Sequence, residues 1–189
     1  MSDFKLQTAE TAAPEGREAI EKAEKGFGFV PNLIKVLANA PAAANAYLDL
    51  GARLESTSLT PQEQQVVLLA TSFENQCDYC MGAHSTVAGM VGIEEADLEA
   101  LRDGSELPTA RLNALRDFTR AVVDKRGNVT KEDLVRFREA GFEQDQVLEV
   151  IVGVAMKTLS NYTNHIAETP LDEAFEAQRW SPPVASTRG

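Results

Sequence analysis

Both cysteines of the chain and one of its two histidines lie within eight residues, between two apolar segments with helical spacing. The cysteines are Cys77 and Cys80, and the histidine is His84. Residues three and four apart on a helix share a face, so a helical conformation would stack these three side chains. We therefore expect a fold in which a core helix delivers a dithiol, with a base one turn beyond it.

The segments around this dithiol predict an all-α, single-domain helical bundle. Thr60, Pro61 and Glu63 form a helix start with a hydroxyl cap, a proline at the first position and a capping-box glutamate. The helix that follows, over 66–73, is too apolar for a surface. The β-branched run at 147–154 is also compatible with a strand, but a lone strand would have no partner, which favours helix. Further helices are predicted from Pro14, Pro31 and Pro41, over about 108–125, from Thr130 to Gly141 and over about 143–165.

Length and charge narrow the classes of function. A chain of 189 residues fits one domain, and a net charge of -11 argues against nucleic acid or an anionic membrane as partner. No run of 18 apolar residues and no basic-then-apolar start is present, which predicts a cytoplasmic protein. Thiols stay reduced there, so two cysteines three apart indicate a catalytic or metal-binding role.

The ends of the chain are expected to be less ordered than its middle. Residues 1–13 are small and polar without periodicity and predict a flexible arm, and residues 179–189 predict a flexible tail. The helical domain is then expected to span residues 14–178.

The dithiol suggests nucleophilic chemistry. The thiolate is the reactive form of cysteine, and a nearby imidazole or helix N-terminus lowers a thiol pKa from ~8.5 to as little as ~3.5–7.5. Cys80 lies one turn before His84 and is predicted to be the attacking sulfur. Cys77 is predicted to close the disulfide. It is expected near the positive dipole end of the helix, which is another reason to expect depressed thiol pKa values.

The pattern Cys77-x-x-Cys80-x-x-x-His84 on a helix resembles the alkyl hydroperoxidase D (AhpD)-like proteins within the carboxymuconolactone decarboxylase family. The resemblance extends to residues 29–33, the helix from Thr60, residues 73–75 and residues 161–172. It implies an all-helical homo-oligomer, such as a dimer, trimer or hexamer, that works without a metal or other cofactor.

The resemblance also implies a thiol peroxidase activity. Cys80 would attack a hydroperoxide, and Cys77 would capture the resulting sulfenic acid as a disulfide. His84 would relay a proton, and a dithiol or thioredoxin-like donor would reduce the disulfide. We expect a mostly apolar pocket, lined by the helix over 66–73 and favouring organic hydroperoxides.

One position departs from the family pattern. The family's relay glutamate lies twelve residues before the first cysteine, where this chain has Gln65, and glutamine cannot take up a proton. Glu74 is the favoured substitute, because Glu63 is expected to be used in capping.

Other interpretations stay open for these residues. The cysteines could be small buried hydrophobes, or ligands of a structural zinc with His84 and His165. A thiol sensor that oligomerises through the apolar helix over 147–156, or the lactone chemistry of the decarboxylase branch, are further alternatives. That branch generally lacks the cysteine pair.

Three more residues have open roles at this level. Tyr79 is either a packing residue or a hydrogen-bond donor in the pocket, and His165 is either a helix-end histidine or part of the pocket. Lys157 is expected to extend its ammonium group to a carboxylate at the surface.

Overall fold

Helices account for the regular structure of residues 3–183, which are the residues that the computed structural model describes. Within that range the chain forms nine α-helices and a terminal 3₁₀ helix, and it contains no strand. The helices are α1 (Pro14–Phe27), α2 (Asn32–Leu37), α3 (Pro41–Glu55), α4 (Pro61–Glu74), α5 (Asp78–Met90), α6 (Glu95–Asp103), α7 (Ala110–Asp124), α8 (Lys131–Glu139), α9 (Gln144–Ala167) and the 3₁₀ helix Glu173–Gln178. The predicted all-α, single-domain architecture is confirmed.

The helix boundaries follow from local capping chemistry. At the start of α4, the Thr60 hydroxyl accepts from the Glu63 N–H at 3.2 Å while the Glu63 carboxylate accepts from the Thr60 N–H at 2.8 Å. Thr130 and Asp133 form the same reciprocal pair at the start of α8. These bonds satisfy backbone donors that would otherwise lack partners inside the helix. The β-branched segment at 147–154 lies within α9, as the helical interpretation predicts.

Two helices, α4 and α9, form the centre of the bundle. One face of α4 packs on α7, and α4 also contacts α5 and α9, while α9 packs on α3 as well. The crossing of α4 and α9 is close because residue 153 is a glycine: a Cβ built there would lie 2.6 Å from Val67 Cγ1. Cys77 and Cys80 belong to the hydrophobic cluster shared with α1, α2 and α3. The dithiol is therefore delivered into the core from α5.

Parts of both chain ends contact the bundle. The Gln7 N–H donates to the Lys35 carbonyl at 3.1 Å, and the indole N–H of the buried Trp180 donates to the Arg102 carbonyl at 2.7 Å. The flexibility expected for residues 1–13 and 179–189 stays a prediction, and residues 1–2 and 184–189 lie outside the described residues.

Across residues 3–183, no helix combines the length and the hydropathy needed to traverse a bilayer.

Candidate active site

The two thiols meet where α4 ends and α5 begins. Gln76 turns the chain with a positive φ of 55°, an uncommon conformation outside glycine. Cys77 is then the N-cap of α5, with its sulfur accepting the Cys80 N–H at 3.3 Å. Cys77 therefore precedes the helix rather than lying within it, but its side chain is turned towards Cys80 in the first helical turn.

Both sulfurs are reduced and removed from solvent. Cys77 is 0% exposed and Cys80 is 1% exposed. From α9, the side-chain amide of Asn164 donates to Cys80 Sγ at 3.2 Å and lies 3.8 Å from Cys77 Sγ. A single amide thus holds the pair together from the opposite helix.

The surroundings separate the pKa values of the two thiols. Burial opposes ionisation of Cys80, but the thiol of Cys77, the ammonium of Lys157 and the amides of Asn164 and Asn161 outweigh it and lower the pKa of Cys80 to about 5. The hydrogen bond that Cys77 makes to Cys80, together with its burial, raises the pKa of Cys77. The expectation that the helix N-terminus lowers the pKa of Cys77 is therefore wrong. The pair carries one proton, on Cys77, and one thiolate, on Cys80.

Lys157 supplies a positive charge to this thiolate. Its side chain is only 1% exposed, and among residues 3–183 no ion pair joins it to a carboxylate. Burial would lower its pKa, but the neighbouring Cys80, Tyr47 and Cys77 raise it, so the ammonium form is retained. The prediction that Lys157 reaches a surface carboxylate is wrong: its side chain is buried, and the Cys80 thiolate is the group that raises the pKa of its ammonium most.

His84, one turn after Cys80 on α5, is in its neutral form. Burial and the charge of Lys157 lower the pKa of His84 well below 6.5. Its Nδ1 lies 3.0 Å from Oε1 of Gln65, which comes from α4. With the amide oxygen as acceptor, Nδ1 carries the proton and Nε2 is left as an acceptor. Gln65, at the position of the family's relay glutamate, therefore orients the ring but cannot exchange a proton with it.

A cavity of about 450 Å³ opens onto Cys80 and not onto Cys77. Its wall is largely apolar and also contains Cys80, His84, Lys157 and the phenol of Tyr47. The remaining lining residues are Gly26, Phe27, Phe29, Pro31, Leu33, Ile34, Tyr79, Ala83, Thr86, Val87, Met90, Ala174 and Phe175. The predicted lining by residues 66–73 is wrong, because none of these residues belongs to the cavity wall; α4 contacts that wall through the bond of Gln65 to His84.

Tyr79 lines the cavity, but its hydroxyl is used elsewhere. The oxygen accepts the Leu33 N–H at 3.2 Å and donates to Asp172 Oδ2 at 2.6 Å. Burial and this bond to Asp172 raise the pKa of Tyr79. The same carboxylate accepts the N–H of Asn32. Tyr79 therefore ties the dithiol segment to α2 and to the C-terminal segment, rather than offering a donor to the cavity.

Two other predicted residues lie away from the dithiol. The carboxylate of Glu74 forms an ion pair with Arg120 and is absent from the cavity wall. His165 is exposed on α9. In the part of the chain that the structure describes, no group of three or more His, Cys, Asp or Glu side chains is arranged to hold a metal ion. The geometry supports neither Glu74 as a relay nor a zinc site that includes His165.

Sequence reasoning missed Tyr47, Lys157 and Asn164. Two of them carried a recognisable signal, because Lys157, Asn161 and Asn164 follow one another at spacings of four and three on an otherwise apolar helix. Such polar residues share one face, and a buried polar face implies buried polar partners. Tyr47 gave no comparable signal, since it stands among alanines and leucines that predict packing.

Comparison with known proteins identifies the region that carries the dithiol. Residues 41–123 match the Carboxymuconolactone decarboxylase family. They include α3, α4, α5, α6 and most of α7, and hence Cys77, Cys80 and His84. A search of curated proteins found no match to the chain.

Solved structures show the same fold over nearly the whole chain. The alkylhydroperoxidase AhpD core of a peroxidase-related protein from Ralstonia eutropha JMP134 is similar at a TM-score of 0.82 and 24% identity, covering 96% of this chain and 98% of that one. The debrominase Bmp8, in complex with 2,3,4-tribromopyrrole, is similar at 0.76 and 18%, covering 94% and 97%. A peroxidase-related protein from Silicibacter sp. TM1040 is similar at 0.75 and 17%, covering 93% of each chain.

Family match and fold agree with the resemblance that the cysteine motif indicates. Residues 41–123 of the chain, which contain the dithiol, match the carboxymuconolactone decarboxylase family, and the chain has the fold of an AhpD core.

Proposed function

We propose that this protein is a thiol peroxidase that reduces organic hydroperoxides. The observation that carries the proposal is the asymmetry of the buried dithiol: Cys80 opens onto the cavity with a lowered pKa, whereas Cys77 lies behind it as a protonated thiol. A nucleophile needs to be ionised and accessible to its substrate, and a resolving thiol needs to be within reach of the product.

The proposed reaction uses two electrons from the dithiol. The Cys80 thiolate attacks the outer oxygen of the hydroperoxide, the O–O bond breaks, and a sulfenic acid and an alkoxide form. The alkoxide takes one proton from the site and becomes an alcohol. Cys77 then displaces water from the sulfenic acid and closes the disulfide. A dithiol or a thioredoxin-like protein of the cytoplasm reduces that disulfide and completes the cycle.

The cavity supports an organic substrate. Its volume of about 450 Å³ far exceeds the size of hydrogen peroxide, and its wall is mainly apolar, with the rings of Phe29, Tyr79 and Phe175 packed edge to face. An apolar group on the hydroperoxide can bury its surface there at about 25 cal/mol per Å². Hydrogen peroxide has no such group, so it is expected to react more slowly than an alkyl hydroperoxide.

The proposal is tested by thiol titration. One equivalent of cumene hydroperoxide should remove both thiols from each chain, and a dithiol should restore them over many cycles with continued peroxide consumption. Oxidation that occurs once without turnover would favour a thiol sensor. Thiols that resist peroxide, with one zinc bound per chain, would favour a structural metal protein.

Reductive dehalogenation is a second candidate, favoured by the ring-sized aromatic cavity and by the fold shared with a debrominase. The same dithiol could reduce the carbon–halogen bond of a halogenated aromatic ring. The ring carbon gains a hydrogen from Cys77, the halide leaves, and the two sulfurs form a disulfide. Halide release from a brominated pyrrole, measured by ion chromatography beside peroxide consumption, distinguishes the two candidates.

Homo-oligomerisation is also proposed, as a dimer, trimer or hexamer. Along α9, four large apolar side chains are exposed, namely Leu148, Ile151, Tyr162 and Ile166. Contiguous exposed apolar surface of this kind is uncommon on monomers. Light scattering of the purified protein would measure the assembly, and a monomer at micromolar concentration would refute it.

A further inference from the structure

Lys157 is the one fully buried cation on the wall of the described cavity. It is 1% exposed, lines the cavity with Cys80, and is close enough to the Cys80 sulfur for that group to raise the pKa of its ammonium. The titratable groups that face it are Cys77 and Cys80 from one side, Tyr47 from α3, and the neutral imidazole of His84. An ammonium group therefore lies where the O–O bond of a bound hydroperoxide would break.

Cleavage of that bond creates a need for a proton. When a thiolate takes the outer oxygen of a hydroperoxide, the other oxygen leaves as an alkoxide, which is a strong base. His84 is a poor source, since its pKa is well below 6.5 and Gln65 has no proton to relay. Tyr47 is also a poor source, because loss of its proton would leave a buried phenolate, and burial raises the pKa of its phenol. For Lys157 burial has the opposite effect and lowers the pKa, and the Cys80 thiolate that raises this pKa is consumed as the O–O bond breaks.

We infer that Lys157 is the general acid that protonates the leaving alkoxide, an inference that rests on the proposed peroxidase function. The thiolate of Cys80 forms a bond to the outer oxygen, the O–O bond breaks, and one proton passes from Lys157 Nζ to the alkoxide oxygen. The products are a sulfenic acid on Cys80, an alcohol and a neutral amine on Lys157. Sulfur is oxidised by two electrons and the peroxide is reduced by two.

The same amine serves the second half of the reaction. Neutral Lys157 takes the proton of Cys77, the Cys77 thiolate displaces hydroxide from the sulfenic acid, and the hydroxide regains that proton as water. The disulfide state thus holds a neutral lysine, which suits a buried amine without a counter-charge. Reduction by a dithiol returns one proton to Cys77 and one to Lys157, and restores the thiolate on Cys80.

Two peroxides with different leaving groups test this role. tert-Butyl hydroperoxide releases a strongly basic alkoxide, whereas peracetic acid releases acetate, which needs no proton. The measurement is the single-turnover rate of thiol loss with each peroxide. The rate with tert-butyl hydroperoxide is divided by the rate with peracetic acid, and this ratio cancels any change in the thiolate fraction. In Lys157→Met, general-acid catalysis predicts a ratio about 10² lower than in the natural protein. Lys157→Arg should lower the ratio as well, because arginine keeps the charge but does not release its proton.

The control is Lys35→Met, which removes a lysine of α2 that hydrogen-bonds to Asn32 and lies outside the cavity wall; its ratio should match the natural protein. If both Lys157 variants reacted more slowly by the same factor with both peroxides, the inference would be overturned and Lys157 would be a stabiliser of the thiolate. A natural protein that loses no thiols with either peroxide would instead refute the proposed function. Lys157→Arg provides the test if Lys157→Met does not fold.

Discussion

The side-chain nitrogen of Asn164 lies 3.2 Å from the sulfur of Cys80 and donates a hydrogen bond to it. Its side-chain oxygen is buried and has no hydrogen-bond partner among residues 3–183. A buried acceptor without a partner costs about 1–3 kcal/mol. The bundle therefore retains an unfavourable group on α9 at the point where its nitrogen stabilises a thiolate, which is the exchange of stability for reactivity expected at a functional site.

Asn164→Leu should separate these two effects. Loss of a hydrogen bond to a charged group, about 1.5–3 kcal/mol, should raise the pKa of Cys80 by about one to two. The free energy of unfolding should change little, because the loss of this bond is offset by removal of the partnerless oxygen, which costs about 1–3 kcal/mol. The pH of half-maximal thiol loss with cumene hydroperoxide and a urea unfolding curve measure the two quantities.

Thr163→Val is the matched control on the same helix, since the Thr163 hydroxyl donates to the carbonyl of Leu159 in its own helix and, within residues 3–183, to no other group. It should leave the pH profile unchanged. If the pH of half-maximal thiol loss were the same in Asn164→Leu as in the natural protein, the amide would not stabilise the thiolate.

The two cysteines should behave differently when each is replaced by serine. Cys80→Ser removes the sulfur that opens onto the cavity and should abolish peroxide reduction. Cys77→Ser should still allow one sulfenic acid per chain, because the attacking thiolate remains. Intact-mass measurement after trapping with a sulfenic-acid reagent checks this, and indistinguishable behaviour of the two variants would rule out the assigned roles.

Gln65→Glu restores a carboxylate beside His84 and should raise the pKa of that imidazole, since a nearby negative charge favours the protonated ring. Proton NMR suits the measurement because the chain has only two histidines. In the natural protein the His84 signal should not titrate between pH 6.5 and 8, whereas in Gln65→Glu it should. Glu74→Gln, whose carboxylate pairs with Arg120 instead, should leave the His84 signal unmoved. Titration of His84 near 6.5 in the natural protein would contradict the neutral ring.

Gly153→Ala should destabilise the bundle. The new methyl group would lie 2.6 Å from Val67 Cγ1 at the crossing of α9 and α4, and overpacking of a core typically costs about 1–3 kcal/mol. Gly89→Ala is the control, because a Cβ on Gly89 in α5 meets nothing within 4 Å. That change should leave the free energy of unfolding unchanged or raise it by at most about 1 kcal/mol. Equal unfolding curves for the two variants would argue against close packing at Gly153.

Local sequence rules predicted most of the fold because helix starts and stops depend on a few neighbouring residues. Thr60 and Thr130 cap their helices through partners three residues away, and Gly28 ends α1 in the left-handed conformation that glycine favours. The dithiol and His84 were likewise predictable, since they lie within one short segment of the chain.

The rest of the site depends on contacts between distant segments, which spacing alone does not determine. Lys157 and Asn164 meet the thiols across about 80 residues of sequence, because α9 crosses behind α5. Glu74 was expected near the dithiol from proximity in sequence, but the turn at Gln76 directs it to Arg120. The pKa of Cys77 also depends on its partner, since one shared proton decides which of the two thiols is ionised.

The central claim, a stable thiolate at Cys80, is tested most directly by the rate of its alkylation with iodoacetamide as a function of pH. The pKa of Cys80 is lowered to about 5, so the thiolate is fully present above that pH and is lost as the pH falls through it. Peptide mass mapping should therefore show a constant rate of Cys80 alkylation between pH 6.5 and 9. A rate that rises about tenfold per pH unit up to about 8.5, as for an ordinary thiol, would contradict the account.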